Sequence, residues 1–301
     1  MKIKYPLLLD GGLSNELEKQ GCNLNHKLWS AQLLESNPNA IMMAHLAYLE
    51  AGAQCIITSS YQATLPGFMA LGYDMSAATA LILKSVQVAE EARKHFLLLH
   101  PHAACPLIAA SIGPYGAYLA NGAEYHGNYD ISDQALIDFH EPRIKLLDNS
   151  TADILACETI PSFQEAKVLS TILKNTRKAA WISFSCQDGK HISDGTPIEK
   201  CVAFLAHHPT LFAIGVNCTS PEHISQLIQS IKTKSGEKKI VVYPNSGKVY
   251  HAETKTWSGL SESSSCEAMV KEWLNLGADI IGGCCGIGPE QIKTMGKIIY
   301  Q

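Results

Sequence analysis

Leu276-Gly-Ala-Asp-Ile-Ile-Gly-Gly-Cys-Cys-Gly286 contains, in eleven residues, the joint from which this chain is built. It leaves a helix through small residues, passes one polar residue, enters a short apolar strand and ends in two thiols. The same joint recurs, without the thiols, at Ala51-Gly-Ala-Gln-Cys-Ile-Ile57 and Asn149-Ser-Thr-Ala-Asp-Ile-Leu155. Working outward, eight short apolar runs alternate with helical patterns: 6–10, 55–59, 107–111, 154–158, 181–185, 212–218, 240–244 and 279–284. Most are too uniformly apolar to be half exposed, which is the mark of parallel strands covered on both faces. Helix starts lie between them. Asn37-Pro38 reads as a cap and first-turn proline with Gly52 as the stop. Ser162-Phe-Gln-Glu165 fits a capping box. Thr196-Pro197 and Ser220-Pro221 repeat the cap-then-proline entry. Eight strand-then-helix units in 301 residues predict an α/β fold, a (β/α)8 TIM barrel, as a single domain over 1–301. An open doubly wound sheet is the alternative, but no G-x-G-x-x-G follows the first strand.

Composition narrows the function. The formal net charge is −4 and no Lys/Arg block stands out, which argues against a nucleic-acid partner. The opening Met1 to Asp10 is too short an apolar stretch for a signal peptide. No run approaches the roughly 18 apolar residues of a membrane span. Ten cysteines without a secretory signal point to reduced thiols in the cytoplasm, used for metal binding or catalysis rather than disulfides. The oligomeric state is left open, with a monomer favoured.

In a barrel the functional side chains sit at the C-terminal ends of the strands. Those ends read Asp10-Gly11-Gly12, Thr58-Ser59, Ser111 to Gly113, Glu158-Thr159, Ser183 with Ser185, Asn217-Cys218, Asn245-Ser246 and Cys284-Cys285. Two cysteine-ended strands that converge give three thiolates and one free position on a tetrahedral ion. Open three-ligand zinc sites are catalytic, whereas structural ones are closed with four. Successive strand residues point to opposite faces, so Cys284 and Cys285 can meet one metal only if the chain turns between them. Gly282, Gly283 and Gly286 give it that freedom. The other seven cysteines read as small buried hydrophobes. Asp10 and Glu158 are acids in an apolar setting, costly there unless paired, and a ligand ammonium is a suitable partner. Between 113 and 129 the chain predicts a long irregular loop with four tyrosines and four glycines, read as an ordered cover over the site.

These segments together resemble the zinc-dependent homocysteine S-methyltransferases. The resemblance rests on Leu9-Asp-Gly-Gly12, Gly113-Pro-Tyr-Gly-Ala-Tyr118, Glu158-Thr-Ile-Pro161, Gly215-Val-Asn-Cys-Thr-Ser-Pro221, Tyr243-Pro-Asn-Ser-Gly247 and Gly282-Gly-Cys-Cys-Gly286. It implies a (β/α)8 barrel with Zn2+ on Cys218, Cys284 and Cys285, which are then both metal ligands and catalytic residues. It also implies that Asp10 and Glu158 sit near the amino group of homocysteine. Gly11, Gly12, Thr58, Ser59 and Asn217 complete the expected substrate-binding set at the strand ends. Tyr115 and Tyr118 of the loop are expected to hold a small sulfonium methyl donor. The length matches the stand-alone subgroup that uses S-methylmethionine and leaves no room for folate or cobalamin domains. S-adenosylmethionine is the poorer expected donor, betaine the rival donor, and a non-catalytic zinc or redox-sensing protein the alternative of another class.

Overall fold

Strands form at all eight apolar runs. In the computed structural model of the chain, residues 3–25, 28–247, 249–251, 256–258 and 266–300 are described. The strands are β1 (Leu7–Leu8), β2 (Cys55–Ile57), β3 (Leu107–Ile112), β4 (Ile154–Ile160), β5 (Ala180–Phe184), β6 (Leu211–Asn217), β7 (Lys239–Tyr243), β8 (Val249–His251), β9 (Thr256–Ser258) and β10 (Ile280–Ile281). Strands β8 and β9 form a separate antiparallel pair. The other eight are parallel neighbours in the order β1-β10-β7-β6-β5-β4-β3-β2. The two ends of this sheet meet through a parallel bridge of Leu9 with Cys55, where Asp10 N donates to Cys55 O at 3.0 Å. That contact closes the barrel and rules out the open sheet.

The side-chain period of two divides each strand between two cores. Leu7, Leu9, Cys55, Ile57, Ala109, Ile154, Ala156, Trp181, Ala213, Val241, Tyr243 and Ile280 fill the barrel interior. Their sequence neighbours, among them Leu8, Ile56, Ile108, Leu155, Ile182, Ile214, Val242 and Ile281, face the helices. Both faces are therefore apolar, as the uniform runs predict. Trp181 is fully buried in the interior, and its Nε1 donates to the Tyr243 hydroxyl at 3.1 Å. The Tyr243 hydroxyl and Ser183 Oγ are 2.7 Å apart, and Ser183 Oγ donates to Asn217 Oδ1 at 2.7 Å. This chain of polar atoms marks where the apolar interior ends and the site begins.

The helices are α1 (Leu13–Lys19), α2 (Leu33–Ser36), α3 (Pro38–Glu50), α4 (Leu65–Met69), α5 (Met75–Leu99), α6 (Tyr115–Leu119), α7 (Asp133–Asp148), α8 (Phe163–Leu173), α9 (Ile198–Leu205), α10 (Pro221–Lys232), α11 (Cys266–Leu276) and α12 (Pro289–Ile299). Asn37 caps α3 by accepting from Ala40 N at 3.2 Å, with Pro38 in the first turn. Three expected helix starts differ in detail. Ser162 accepts from Glu165 N at 3.4 Å, but the Glu165 carboxylate does not return to the cap. It accepts instead from Tyr115 N at 2.6 Å, His140 Nε2 at 2.7 Å and the Tyr129 hydroxyl at 3.0 Å. Helix α9 starts one residue late, with Pro197 in the capping position. Ser220 precedes α10 as expected, yet its hydroxyl turns to Glu222 Oε1 at 3.3 Å rather than to a backbone N–H.

The stretch expected to be an irregular loop holds α6 and a 3-10 turn at Ala123–Tyr125. Buried side chains of α7 and α8 hold it down. Arg143, 1% exposed, donates from Nη2 to Gly113 O at 2.7 Å and from Nη1 to Tyr61 O at 3.3 Å. Glu165, as above, takes the backbone of Tyr115 and the ring of His140.

Candidate metal centre and substrate pocket

The sulfur-bearing atoms of Cys218, Cys284 and Cys285 all lie within 4.8 Å of one another. Two strand ends deliver them. Strand β6 runs to Asn217, and Cys218 then leaves it at φ 48°, the left-handed region in which a non-glycine residue is uncommon. Cys218 N donates to Tyr243 O at 3.2 Å, which ties this corner to β7. Thr159 of β4 takes a similar conformation, φ 58°. Asn217 joins the two corners. Its Oδ1 accepts from Thr159 N at 2.6 Å, and its Nδ2 donates to Thr159 Oγ1 at 2.7 Å.

After β10 the chain turns tightly. Ile287 N donates to Cys284 O at 3.1 Å, so Cys284 and Cys285 occupy the first two positions of a turn, and Gly286 adopts φ 80°. This is the departure from strand geometry that two adjacent ligands require. The glycine roles differ from expectation. Gly286 supplies the left-handed residue. Gly282 and Gly283 are needed for close approach: a Cβ there would sit 2.5 Å from Leu9 Cβ and 2.2 Å from Ile287 Cγ2.

Zinc–thiolate bonds of about 2.3 Å in a tetrahedron require sulfurs about 3.8 Å apart. The three sulfurs, none more than 4.8 Å from another, could close on one ion with a shift of about an ångström. Hydrogen bonds from Cys284 and Cys285 push the Cys218 thiol well below its ordinary pKa, while Cys284 and Cys285 are pushed up. Three thiols this close and this buried cannot all ionise unless a cation lies among them. The three cysteines can hold a metal ion, and soft thiolate donors in a tetrahedral set suit zinc.

All three line one cavity of about 380 Å³, within the range of small-molecule sites. Gly11, Gly12, Thr58, Ser59 and Glu158 line it too, as the strand-end reading expects. Glu158 is held by Ser111 Oγ and by Tyr243, and burial raises its pKa to about 7. Asp10 is 1% exposed and lies behind the lining. Its Oδ2 accepts from Ile57 N at 2.8 Å, while Oδ1 is buried with no hydrogen-bond partner among the described residues. Burial is the main reason its pKa is raised, and the nearby Glu158 and Cys284 add to it. An orphaned oxygen on one acid and a second acid whose pKa burial has raised form a setting that an ammonium group would complete.

Three more of the expected residues lie off the cavity lining. Tyr115 and Tyr118 do not line the cavity. Three residues apart on α6, they pack against Phe139 of α7 with ring centroids at 5.1 and 5.3 Å. Asn217 does not line it either, since its amide is spent on the Thr159 corner. The aromatic wall comes instead from Trp29, Tyr61, Tyr125 and Tyr243. Tyr125 lies nearest the thiols, its hydroxyl 3.8 Å from Cys218 Sγ. Its position in the same tyrosine-bearing segment was a usable signal, but the spacing that separates a packing tyrosine from a lining one appears only once α6 is seen as a helix. Glu124, beside it, was also missed.

The homocysteine S-methyltransferase family profile matches residues 7–299. A Bacillus subtilis (strain 168) protein, homocysteine S-methyltransferase YbgG, is 51% identical over 97% of this chain and 94% of its own length. The Escherichia coli (strain K12) homocysteine S-methyltransferase is 46% identical over 96% of this chain and 94% of its own. The crystal structure of the Escherichia coli homocysteine methyltransferase MmuM in its metallated form superposes with a TM-score of 0.87 at 43% identity, covering 97% of this chain and 95% of that one.

Proposed function

Because the chain belongs to the homocysteine S-methyltransferase family and is an enzyme that transfers a methyl group to homocysteine, we propose that it does so on a zinc ion held by Cys218, Cys284 and Cys285, with a small sulfonium as donor. S-methylmethionine is the expected donor, ahead of S-adenosylmethionine. The observation that carries the metal half is the meeting of three thiols at one cavity. Zinc there supplies a Lewis acid that keeps a fourth, substrate sulfur deprotonated and a template that aims it.

The chain's own residues do the rest. Asp10 and Glu158 take the homocysteine ammonium between them, which pairs two acids otherwise strained by burial and mutual repulsion. Gly11, Gly12, Thr58 and Ser59 shape the surrounding wall. Backbone at Gly11 and Gly12 must lie close, since a Cβ there would meet Ile287 O at 2.3 Å and Cys284 O at 2.7 Å. In the transfer a lone pair of the homocysteine sulfur forms the new carbon–sulfur bond. The donor's carbon–sulfur bond breaks, and its electron pair stays on the donor sulfur. The sulfonium becomes a neutral thioether and homocysteine becomes methionine. No protein base acts in that step.

The donor reading is supported by charge. Three thiolates and a substrate thiolate outweigh the ion's two positive charges, so the site attracts a cation. The rings of Trp29, Tyr61 and Tyr125 suit a sulfonium, at about 0.5–2 kcal/mol for a cation on a ring face. Betaine fits less well. Its carboxylate is one carbon from the reacting centre, and no Lys, Arg or His is among the described residues lining the cavity. The three thiols and the two acids come from one barrel, which supports action as a monomer and one homocysteine-binding barrel domain over 1–301. All ten cysteines are free, which supports a reducing, cytoplasmic setting.

The test is methionine formation from homocysteine and a donor panel, with zinc supplied or chelated. S-methylmethionine should give the highest kcat/KM, and chelation should abolish turnover. A clear preference for betaine or a methylated folate rejects the donor, and full activity after verified zinc removal rejects the metal.

A further inference from the structure

Glu124 is a partly buried acid in the cavity for which homocysteine gives no role. It sits on the 3-10 turn Ala123–Tyr125 and lines the same cavity as the three thiols. Its Oε2 is buried with no hydrogen-bond partner among the described residues. No cationic side chain among the described residues lines the cavity with it. Burial raises its pKa to about 7 against the partial offset of its own backbone N–H, and a cation bound beside it would favour the charged form.

Its backbone is fixed. Glu124 O accepts from Ser185 Oγ at 3.0 Å, and Ala123 N donates to Asn121 Oδ1 at 3.1 Å. The turn rests so closely on α6 that a Cβ on Gly116 would lie 2.5 Å from Glu124 N. Its chain neighbour Tyr125 reaches Cys218, and the Glu124 charge is felt at Tyr61 and at Cys218. A carboxylate therefore stands within electrostatic range of the thiol cluster, among tyrosines, on a wall separate from β1 and β4, which carry Asp10 and Glu158.

We propose that Glu124 is the specificity-determining residue for the methyl donor, its carboxylate facing the positive sulfur of a sulfonium lodged between Tyr61 and Tyr125. This rests on the sulfonium reading above. A sulfonium has no N–H, so it needs neither a ring of acceptors nor a directed hydrogen bond. A fixed negative charge beside aromatic faces provides what it does need. A neutral thioether loses the charge–charge attraction, so the methylated donor is held more tightly than its demethylated product, and product leaves more easily.

Isothermal titration of the zinc-loaded protein, with homocysteine omitted, separates this role from a structural one. The two ligands are S-methylmethionine and its carbon isostere 2-amino-5-methylhexanoate, which keeps the shape, ammonium and carboxylate but replaces the charged sulfur by CH. Glu124→Gln should weaken S-methylmethionine by about tenfold, the order expected for loss of one opposite charge in a partly desolvated site. Affinity for the isostere, affinity for homocysteine and zinc content should not change. Equal weakening of both ligands places Glu124 at the ammonium end and overturns the proposal, as does no weakening of either or a loss of zinc. Failure of the wild-type enzyme to form methionine from S-methylmethionine, seen before any variant is made, removes the donor reading and this inference with it.

Discussion

Cys218 carries two demands at once: its sulfur must meet the β10 turn, and its backbone must leave β6 at φ 48°. Its neighbour Asn217 reconciles them by pinning the matching corner at Thr159. The sulfur was legible in the sequence because residue type and strand end suffice to name a candidate ligand. The Asn217 role was not, because the letter shows an amide at a strand end and not which way that amide turns. Asp10 and Glu158 were legible as acids in an apolar setting, and the structure adds what distinguishes them: one has an orphaned oxygen, while the other is hydrogen-bonded to Ser111 and Tyr243. If both meet the homocysteine ammonium, Glu158→Gln and Asp10→Asn should each raise the homocysteine KM by about tenfold, as charge-assisted hydrogen bonds become neutral ones. Zinc content should stay at one per chain. Steady-state kinetics with metal analysis checks this, and unchanged KM in both variants reassigns the acids to structure.

Among elements, the eight barrel strands were readable to within three residues at their ends, because a buried parallel strand is a short apolar run with polar ends. The segment between β3 and α7 was not. Its tyrosines and glycines suggested a loop over the site, but the two tyrosines of α6 point to α7 and the useful one belongs to the next turn. Glu165 shows the same limit: it satisfies the capping-box pattern in sequence, yet its carboxylate serves His140, Tyr115 and Tyr129, which are distant in the chain. Helix α3 holds a further feature that sequence does not reveal. His45 is fully buried, and neither ring nitrogen has a hydrogen-bond partner among the described residues. Burial lowers its pKa from 6.5 to about 4. On acidification the unfolded chain therefore takes up this proton before the folded one does. The contribution of His45 to stability is complete above pH 6.5 and is lost between pH 6.5 and 4, by about 3 kcal/mol at the lower end. Urea unfolding across this range should show His45→Leu losing less stability on acidification than the wild type. Parallel pH profiles for the two proteins would contradict this.

At the scale of the molecule, parallel closure gathers eight strand ends on one face, so residues scattered from 11 to 285 line one cavity. The barrel interior and the site adjoin: Trp181 fills the former, and the Tyr243–Ser183–Asn217 chain divides it from the site. The repeated joint made the barrel legible, since each copy is a local pattern that sequence records directly. The aromatic wall depends on segments far apart in sequence, Trp29, Tyr61 and Tyr125, that only the closed fold brings together. The most direct measurement of the central claim is zinc K-edge X-ray absorption on the zinc-loaded protein, before and after homocysteine is added. Three sulfur neighbours at about 2.3 Å and one lighter atom are expected, changing to four sulfurs with homocysteine bound. A sulfur count that homocysteine leaves unchanged would contradict it.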